Sequence, residues 1–258
     1  MELENGLKEY TVKVDGFDIY FKCKFNPESE DALLFLHGLA CSGESYVNLF
    51  DQDYFPNKSL VVIDLLGFGK SGKPTDFSYT MEDHAKILEK FLKTLPDWNY
   101  HIVVHSMGGA IGLLFSSEFL SKISSFTNIE GNLISEDCGI FSRNIVSLTL
   151  DYYENRLFKR HTKFFKDHDQ FRFDETTARI IYESSKSLVQ HSDNGKLLEI
   201  FKNLDSRKSY FYGEENLEMP ILKQLDFAQK YMIENSGHGL MTDNPKSFYQ
   251  KLVEFIYN

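Results

Sequence analysis

Residues 100–113 read YHIVVHSMGGAIGL, and this stretch decides the fold. Its first half, YHIVV, is a continuous apolar run of the kind found in a parallel strand buried on both faces. Its second half, MGGAIGL, is a helical start whose first turns are almost all small. Between them stand His105 and Ser106, with no residues left for a loop. A serine held on so sharp a strand-to-helix turn projects its hydroxyl above the sheet, and small neighbours are required because the turn is crowded. The pattern departs from G-x-S-x-G at its first position, which is Val104, so the turn has to accept a β-branched side chain. Taken alone, Ser106 also suits an ordinary helix N-cap.

Working outward, residues 32–36 (ALLFL) and 60–63 (LVVI) repeat the buried-strand pattern. Residues 81–95 place Ile87, Leu88, Phe91, Leu92 and Leu95 at helical spacing, with Thr80 as N-cap and Pro96 as stop. Strand, helix and strand in that order imply right-handed crossovers and a parallel sheet. The helix opened by Met107 is expected to run to residue 119, and residues 123–129 form the next strand. Upstream, 11–14 and 17–25 flank Asp15-Gly16 and read as a β-hairpin. From 132 to 203 the alternation stops: the chain is rich in Phe, Tyr, Lys, Arg and His with helical periodicity and no strand run, as expected of a helical insertion over the sheet. Strands resume at 209–212 and 227–233, and an amphipathic helix covers 245–257. The expected architecture is therefore an α/β core, 1–131 and 204–258, with a mostly parallel sheet flanked by helices and a helical cap, 132–203, inserted in it.

His37-Gly38-Leu39 ends the first buried strand, where ligands gather in open α/β sheets. The Leu39 and Met107 N–H groups are the candidates for binding an oxyanion beside Ser106, while His37 reads as a structural hydrogen-bonding residue. Asn235-Ser236-Gly237-His238-Gly239 follows the last strand at the same sheet end, and an imidazole there suits a general base. Of the other histidines, His101 falls in a strand, His84 in a helix, His105 is expected to point away, and His161, His168 and His191 fall in the insertion.

Composition narrows the function classes. The 258 residues are 42% hydrophobic with 23 Phe and 14 Tyr, enough to line an apolar pocket. A net charge of −10 disfavours nucleic acid and an anionic membrane surface as partners. No window reaches the length of a membrane span, and the polar N-terminus has no secretory pattern. Cys23, Cys41 and Cys138 show neither CxxC spacing nor a His cluster, so no disulfide framework, zinc site or other metal or organic cofactor is expected, and the location implied is cytoplasmic. The segment 67–72, GFGKSG, lacks the register of a phosphate loop.

His37-Gly38-Leu39, Asp64-Leu65-Leu66-Gly67-Phe68-Gly69-Lys70-Ser71, the Ser106 turn and Gly237-His238 together resemble the α/β-hydrolase superfamily over nearly the whole chain, in the right order. The resemblance implies a serine hydrolase fold with a variable cap, Ser106 as nucleophile, His238 as base, and 64–71 as a structural turn. Many relatives carry an acid three residues after a Gly that ends the penultimate strand; here Gly213 leads to Asn216, which supplies no charge. Some relatives carry it at the end of the strand after the nucleophile, where this chain has Glu130. Glu130 is therefore the preferred acid, followed by Asp137, then Glu214 or Glu215. A serine nucleophile implies acyl transfer on esters, thioesters or lactones of small to medium hydrophobic acids. Carbon–carbon bond hydrolysis with the same residues, and a non-catalytic receptor for a small ligand on the same fold, are the alternatives.

Overall fold

Each continuous apolar run becomes a strand of one sheet in the computed structural model, which describes residues 1–165 and 171–258. The strands are β1 (Gly6–Val14), β2 (Phe17–Phe25), β3 (Asp31–Leu36), β4 (Ser59–Ile63), β5 (Asn99–His105), β6 (Ser125–Ile129), β7 (Arg207–Gly213) and β8 (Gln229–Ile233). Their spatial order is β1-β2-β4-β3-β5-β6-β7-β8. β1 and β2 form the antiparallel hairpin turned at Asp15-Gly16, β2 runs antiparallel to β4, and every pairing from β4 to β8 is parallel. Register aligns Leu36 with Val104 and His105 with Ile129, so β3, β5 and β6 end at one edge.

Because side chains alternate across a strand, the same runs feed two cores. Leu34, Leu36, Val61, Ile63, Ile102 and Val104 face one side. There they meet α1 (Met81–Leu92) and α2 (Met107–Leu113). Leu33, Phe35, Val62, Val103, Phe211 and Ile233 face the other. They pack on the 3₁₀ segment Gly43–Phe50 and on the helix that closes the chain. Thr80 caps α1 as expected, its hydroxyl accepting from the Asp83 N–H.

Two helix lengths differ from the sequence reading. α1 ends at Leu92 rather than Leu95, its exit tightened by bonds from the Thr94 and Leu95 N–H groups to the Phe91 and Leu92 carbonyls. The helix expected over 107–119 stops at Leu113. A second, α3 (Ser117–Leu120), starts afresh because the Ser116 hydroxyl accepts from the Phe119 N–H at 3.2 Å, an N-cap that a continuous helix leaves no room for.

Between β6 and β7 lie α4 (Ile140–Val146), α5 (Leu150–Tyr152), a π turn (Tyr153–Leu157), α6 (Phe158–Phe164), α7 (Ala178–Asp193) and α8 (Lys196–Asn203). α7 packs on α4, and its Ser187 hydroxyl accepts from the Met81 N–H at the start of α1. The Arg172 N–H bonds the Ala40 carbonyl at 2.7 Å, tying the insertion to the loop after β3. α8 lies instead against α2, and Phe201 packs on Phe126 of β6, so this last helix of the 132–203 segment flanks the sheet. After β8 come α9 (Leu240–Asp243) and α10 (Pro245–Tyr257).

The small-residue face of α2 is what lets it enter directly from β5. A Cβ on Gly108 would lie 2.8 Å from the carbonyl oxygens of Leu36 and His37, backbone that cannot yield cheaply. Gly108→Ala is expected to lower the unfolding free energy by about 1–3 kcal/mol with an unchanged denaturant m-value, which urea titration followed by circular dichroism measures.

Candidate active site

Ser106 sits at φ 51° and ψ −118°, a conformation costly for any residue with a Cβ and held by the strand end before it and the helix after it. Its N–H bonds the Ile129 carbonyl of β6, and its own carbonyl accepts from Gly109 in α2. Gly38 closes the other side. A Cβ there would come within 2.9 Å of His105 Nδ1 and 3.2 Å of Ser106 Cβ.

Glu130, the preferred candidate for the acid, stands just past the end of β6. Glu130, 3% exposed and at φ 42°, turns its carboxylate along the ends of β7 and β8. Its Oε2 lies 2.7 Å from His238 Nδ1. Its Oε1 accepts from the Gly213 N–H at 2.8 Å, and Asn216 Nδ2 donates to both oxygens, at 2.9 and 3.0 Å. The amide at the position where an acid is expected thus holds the Glu130 carboxylate instead. His238 Nδ1 faces this carboxylate, and the tautomer that donates from Nδ1 to Oε2 has Nε2 as its acceptor.

His238, Ser106, Glu130, Asn216, Gly38 and Leu39 line a single cavity of about 380 Å³. Asp137, the second candidate acid, lines it too but is engaged elsewhere: its Oδ2 accepts from the Leu133 and Ile134 N–H groups, and its Oδ1 is buried without a partner. Burial pushes its pKa up to about 7, against the pull of those two N–H groups. Glu214 accepts from the Asn235 N–H and steadies the loop that carries His238. Neither it nor Glu215 lines the cavity.

The remaining histidines have other duties. His37 Nε2 accepts from the Leu65 N–H and its Nδ1 donates to the Gly38 carbonyl, so it is neutral, buried and structural, with burial holding its pKa below the usual range. His101 Nδ1 meets the Ser125 hydroxyl, and His191 Nε2 meets Glu82. Burial drives His84 down to about 3. His161 packs among Phe141, Tyr153, Phe165 and Phe173, and His168 lies outside the described residues. His105 corrects the sequence reading. It does not point away but lines the cavity, its ring centroid 4.6 Å from that of His238 and its Nε2 donating to the His238 carbonyl at 3.0 Å. Burial first, and then the neighbouring His238, hold His105 well below the ordinary imidazole range.

Sequence reasoning marked Asn216 only as a missing carboxylate. That it is a donor follows from its distance to Glu130, which no local pattern encodes. The apolar walls include Leu39, Phe141, Phe165, Phe171, Phe173 and Met219, mostly from the insertion, and helical periodicity there does not say which face looks inward. Leu39, in the loop after β3, lines the cavity, and Met107 is the first residue of α2, next to Ser106 in sequence. Among the described residues, no group of three or more His, Cys, Asp or Glu is placed to hold a metal ion, and no helix is long and apolar enough to cross a membrane.

The sequence matches the α/β-hydrolase fold family over residues 31–180, more than half of its length. The chain belongs to that family. A relative from Arabidopsis thaliana, the probable lysophospholipase BODYGUARD 4, is 33% identical over 102 residues, 39% of this chain and 24% of its own. The chain thus spans only about a quarter of that plant protein. The 2-hydroxy-6-oxo-6-(2'-aminophenyl)hexa-2,4-dienoic acid hydrolase of Metapseudomonas resinovorans is 24% identical and aligns over 87% of this α/β hydrolase and 83% of its own length. Among solved structures, a mutant N-acyl homoserine lactonase AidH complexed with N-hexanoyl homoserine shares the fold, with a TM-score of 0.77 at 16% identity over 97% of this chain and 96% of that one.

Asp137 gives the site a measurable pH signature. Its folded pKa of about 7 exceeds the ordinary value of 3.8, so the native state binds the extra proton between those two pH values. Stability from this group is full below pH 4 and lost as pH rises through 7. In Asp137→Asn the amide oxygen still accepts from Leu133 and Ile134. The variant is expected to match the parent at pH 4 and to exceed it at pH 8 by about 1–3 kcal/mol, read from urea unfolding at the two pH values.

Proposed function

We propose that this α/β hydrolase cleaves carboxylic esters, thioesters or lactones of small to medium hydrophobic substrates through an acyl intermediate on Ser106. The observation that carries the reading is the 2.7 Å contact of His238 Nδ1 with the buried Glu130 carboxylate, in the cavity that Ser106 lines.

In this reading the Ser106 hydroxyl attacks the carbonyl carbon and His238 Nε2 takes its proton, while Glu130 keeps the Nδ1 proton in place and stabilises the imidazolium without becoming protonated. The Leu39 and Met107 N–H groups receive the negative charge that develops on the carbonyl oxygen. His238 returns the proton to the leaving alcohol or thiol. Water, deprotonated by the same imidazole, then releases the acid. The helices inserted after β6 act as the cap, and their phenylalanines give the acyl chain an apolar wall in a cavity at the small end of the ligand-pocket range. The partial likeness to a probable lysophospholipase supports an ester substrate. The longer alignment with a hydrolase of a hexadienoic acid favours carbon–carbon bond cleavage by the same residues as the second reading.

Two measurements on Ser106→Ala beside the parent separate these readings. A series of p-nitrophenyl esters from acetate to octanoate is expected to be turned over by the parent and at least about 10³-fold more slowly by the variant. A fluorophosphonate is expected to label the parent at Ser106. Labelling without turnover of any ester favours the carbon–carbon reading, and no labelling of the folded protein favours a receptor that binds without reacting.

A further inference from the structure

One stretch of the insertion's outer surface carries charge of the sign opposite to the chain as a whole. Residues 156–165, RLFKRHTKFF, hold four cations and no carboxylate in a protein of net charge −10. Arg156, Lys159, Arg160 and Lys163 are all exposed, and among the described residues none of them enters an ion pair. Asp151 and Glu154, the nearest carboxylates upstream on the same helical run, precede them, and the Asp151 carboxylate accepts from Asn155 Nδ2. Two large apolar rings flank the cations: Tyr152 is 49% and Phe164 69% exposed, the latter the most exposed large hydrophobic side chain among the described residues.

The inner face of the same run is different. Tyr153 is buried, and Leu157, Phe158, His161 and Phe165 are partly so. Phe165 lines the catalytic cavity with Phe141 and Phe173 and packs against both, while Phe164 meets Phe165 edge-on at 4.9 Å. The run from α5 to α6 is thus an amphipathic roof: aromatic on the cavity side, basic with protruding rings on the solvent side.

We propose that this basic, aromatic face of the cap docks on an anionic lipid surface, with the cations over the lipid phosphates and Tyr152 and Phe164 entering the headgroup boundary. Cations on one face with aromatic anchors among them are what an interfacial helix requires. Protruding rings of this kind have no use for a purely ionic partner such as a nucleic acid backbone. The chain's overall negative charge does not prevent docking, because at physiological ionic strength a charge more than about 8 Å from the lipid is largely screened and the local cations decide. Docking there sets the apolar cavity next to the source of hydrophobic esters. The surface interaction itself does not require that the hydrolase reading be right.

The test is co-sedimentation of the full chain with vesicles of phosphatidylcholine alone and with vesicles containing phosphatidylglycerol. The partition coefficient is expected to be at least about 10-fold higher on the anionic vesicles, and to fall to the neutral level when Arg156→Gln, Lys159→Gln, Arg160→Gln and Lys163→Gln are combined. Phe164→Ser alone is expected to weaken anionic binding by about 3-fold or more. All five positions are exposed, so the variants keep the fold, and their p-nitrophenyl ester turnover in vesicle-free buffer is expected to equal the parent's. That control separates failure of docking from failure of the hydrolase reading. Equal binding to both vesicles, undiminished binding of the quadruple variant, or binding to duplex DNA without binding to vesicles would overturn the proposal.

Discussion

One buried carboxylate joins the parts of this site. Glu130 sits at the end of β6, yet its oxygens reach the Gly213 N–H at the end of β7, Asn216 just beyond, and His238 in the loop after β8. A carboxylate at this depth is costly unless its oxygens are hydrogen-bonded, and here the partners come from two other segments of chain, the end of β7 and the loop after β8. The same contacts that solvate the charge therefore fix the relative positions of three strand ends. Backbone strain is concentrated beside it: Ser106 and Glu130 follow adjacent strands and both occupy positive φ. The Ser106 N–H bonds Ile129 O, and the Glu130 N–H bonds Phe211 O, so the sheet ladder continues one step past each strand and holds both residues in place.

The core was legible because its signals are local and redundant. The runs at 32–36, 60–63 and 100–104 are short, largely apolar and alternate with a helical stretch, the pattern of buried parallel strands, and the lack of loop residues between Val104 and Met107 forces the turn at Ser106. His238 was legible by its place between the last strand and last helix. What escaped was set by distance in space rather than along the chain. Asn216 read as a lost acid because an amide is recognised as a donor only when its acceptor is known. His105, the last residue of β5, was expected to point away, but its ring packs on that of His238, in a loop distant along the chain that no local pattern brings near. The break after Leu113 turned on one hydroxyl cap at Ser116, which competes with helix continuation too weakly to register in periodicity. In the 132–203 segment, helical character was plain, but α8 follows the sheet while the helices before it cover the cavity.

The insertion links cavity and surface. Its inner phenylalanines supply most of the apolar lining, and the Arg172 N–H bond to Ala40 O anchors it beside the loop that carries Gly38 and Leu39. A shift of the insertion would thus be felt at that loop. Local charge matters here more than the total: a net charge of −10 describes the whole chain, whereas the charged side chains of residues 156–163 are all exposed cations.

Whether Glu130 is the acid behind His238 is decided by the turnover of Glu130→Gln, with unfolding measured on the same preparation. The glutamine oxygen can still accept from Gly213 and Asn216, but its amide then presents an N–H to His238 Nδ1. That shifts the imidazole proton to Nε2, the nitrogen that has to receive the Ser106 proton. The variant is expected to fold and to turn esters over about 10³-fold more slowly or worse. Turnover within a few-fold of the parent would contradict it.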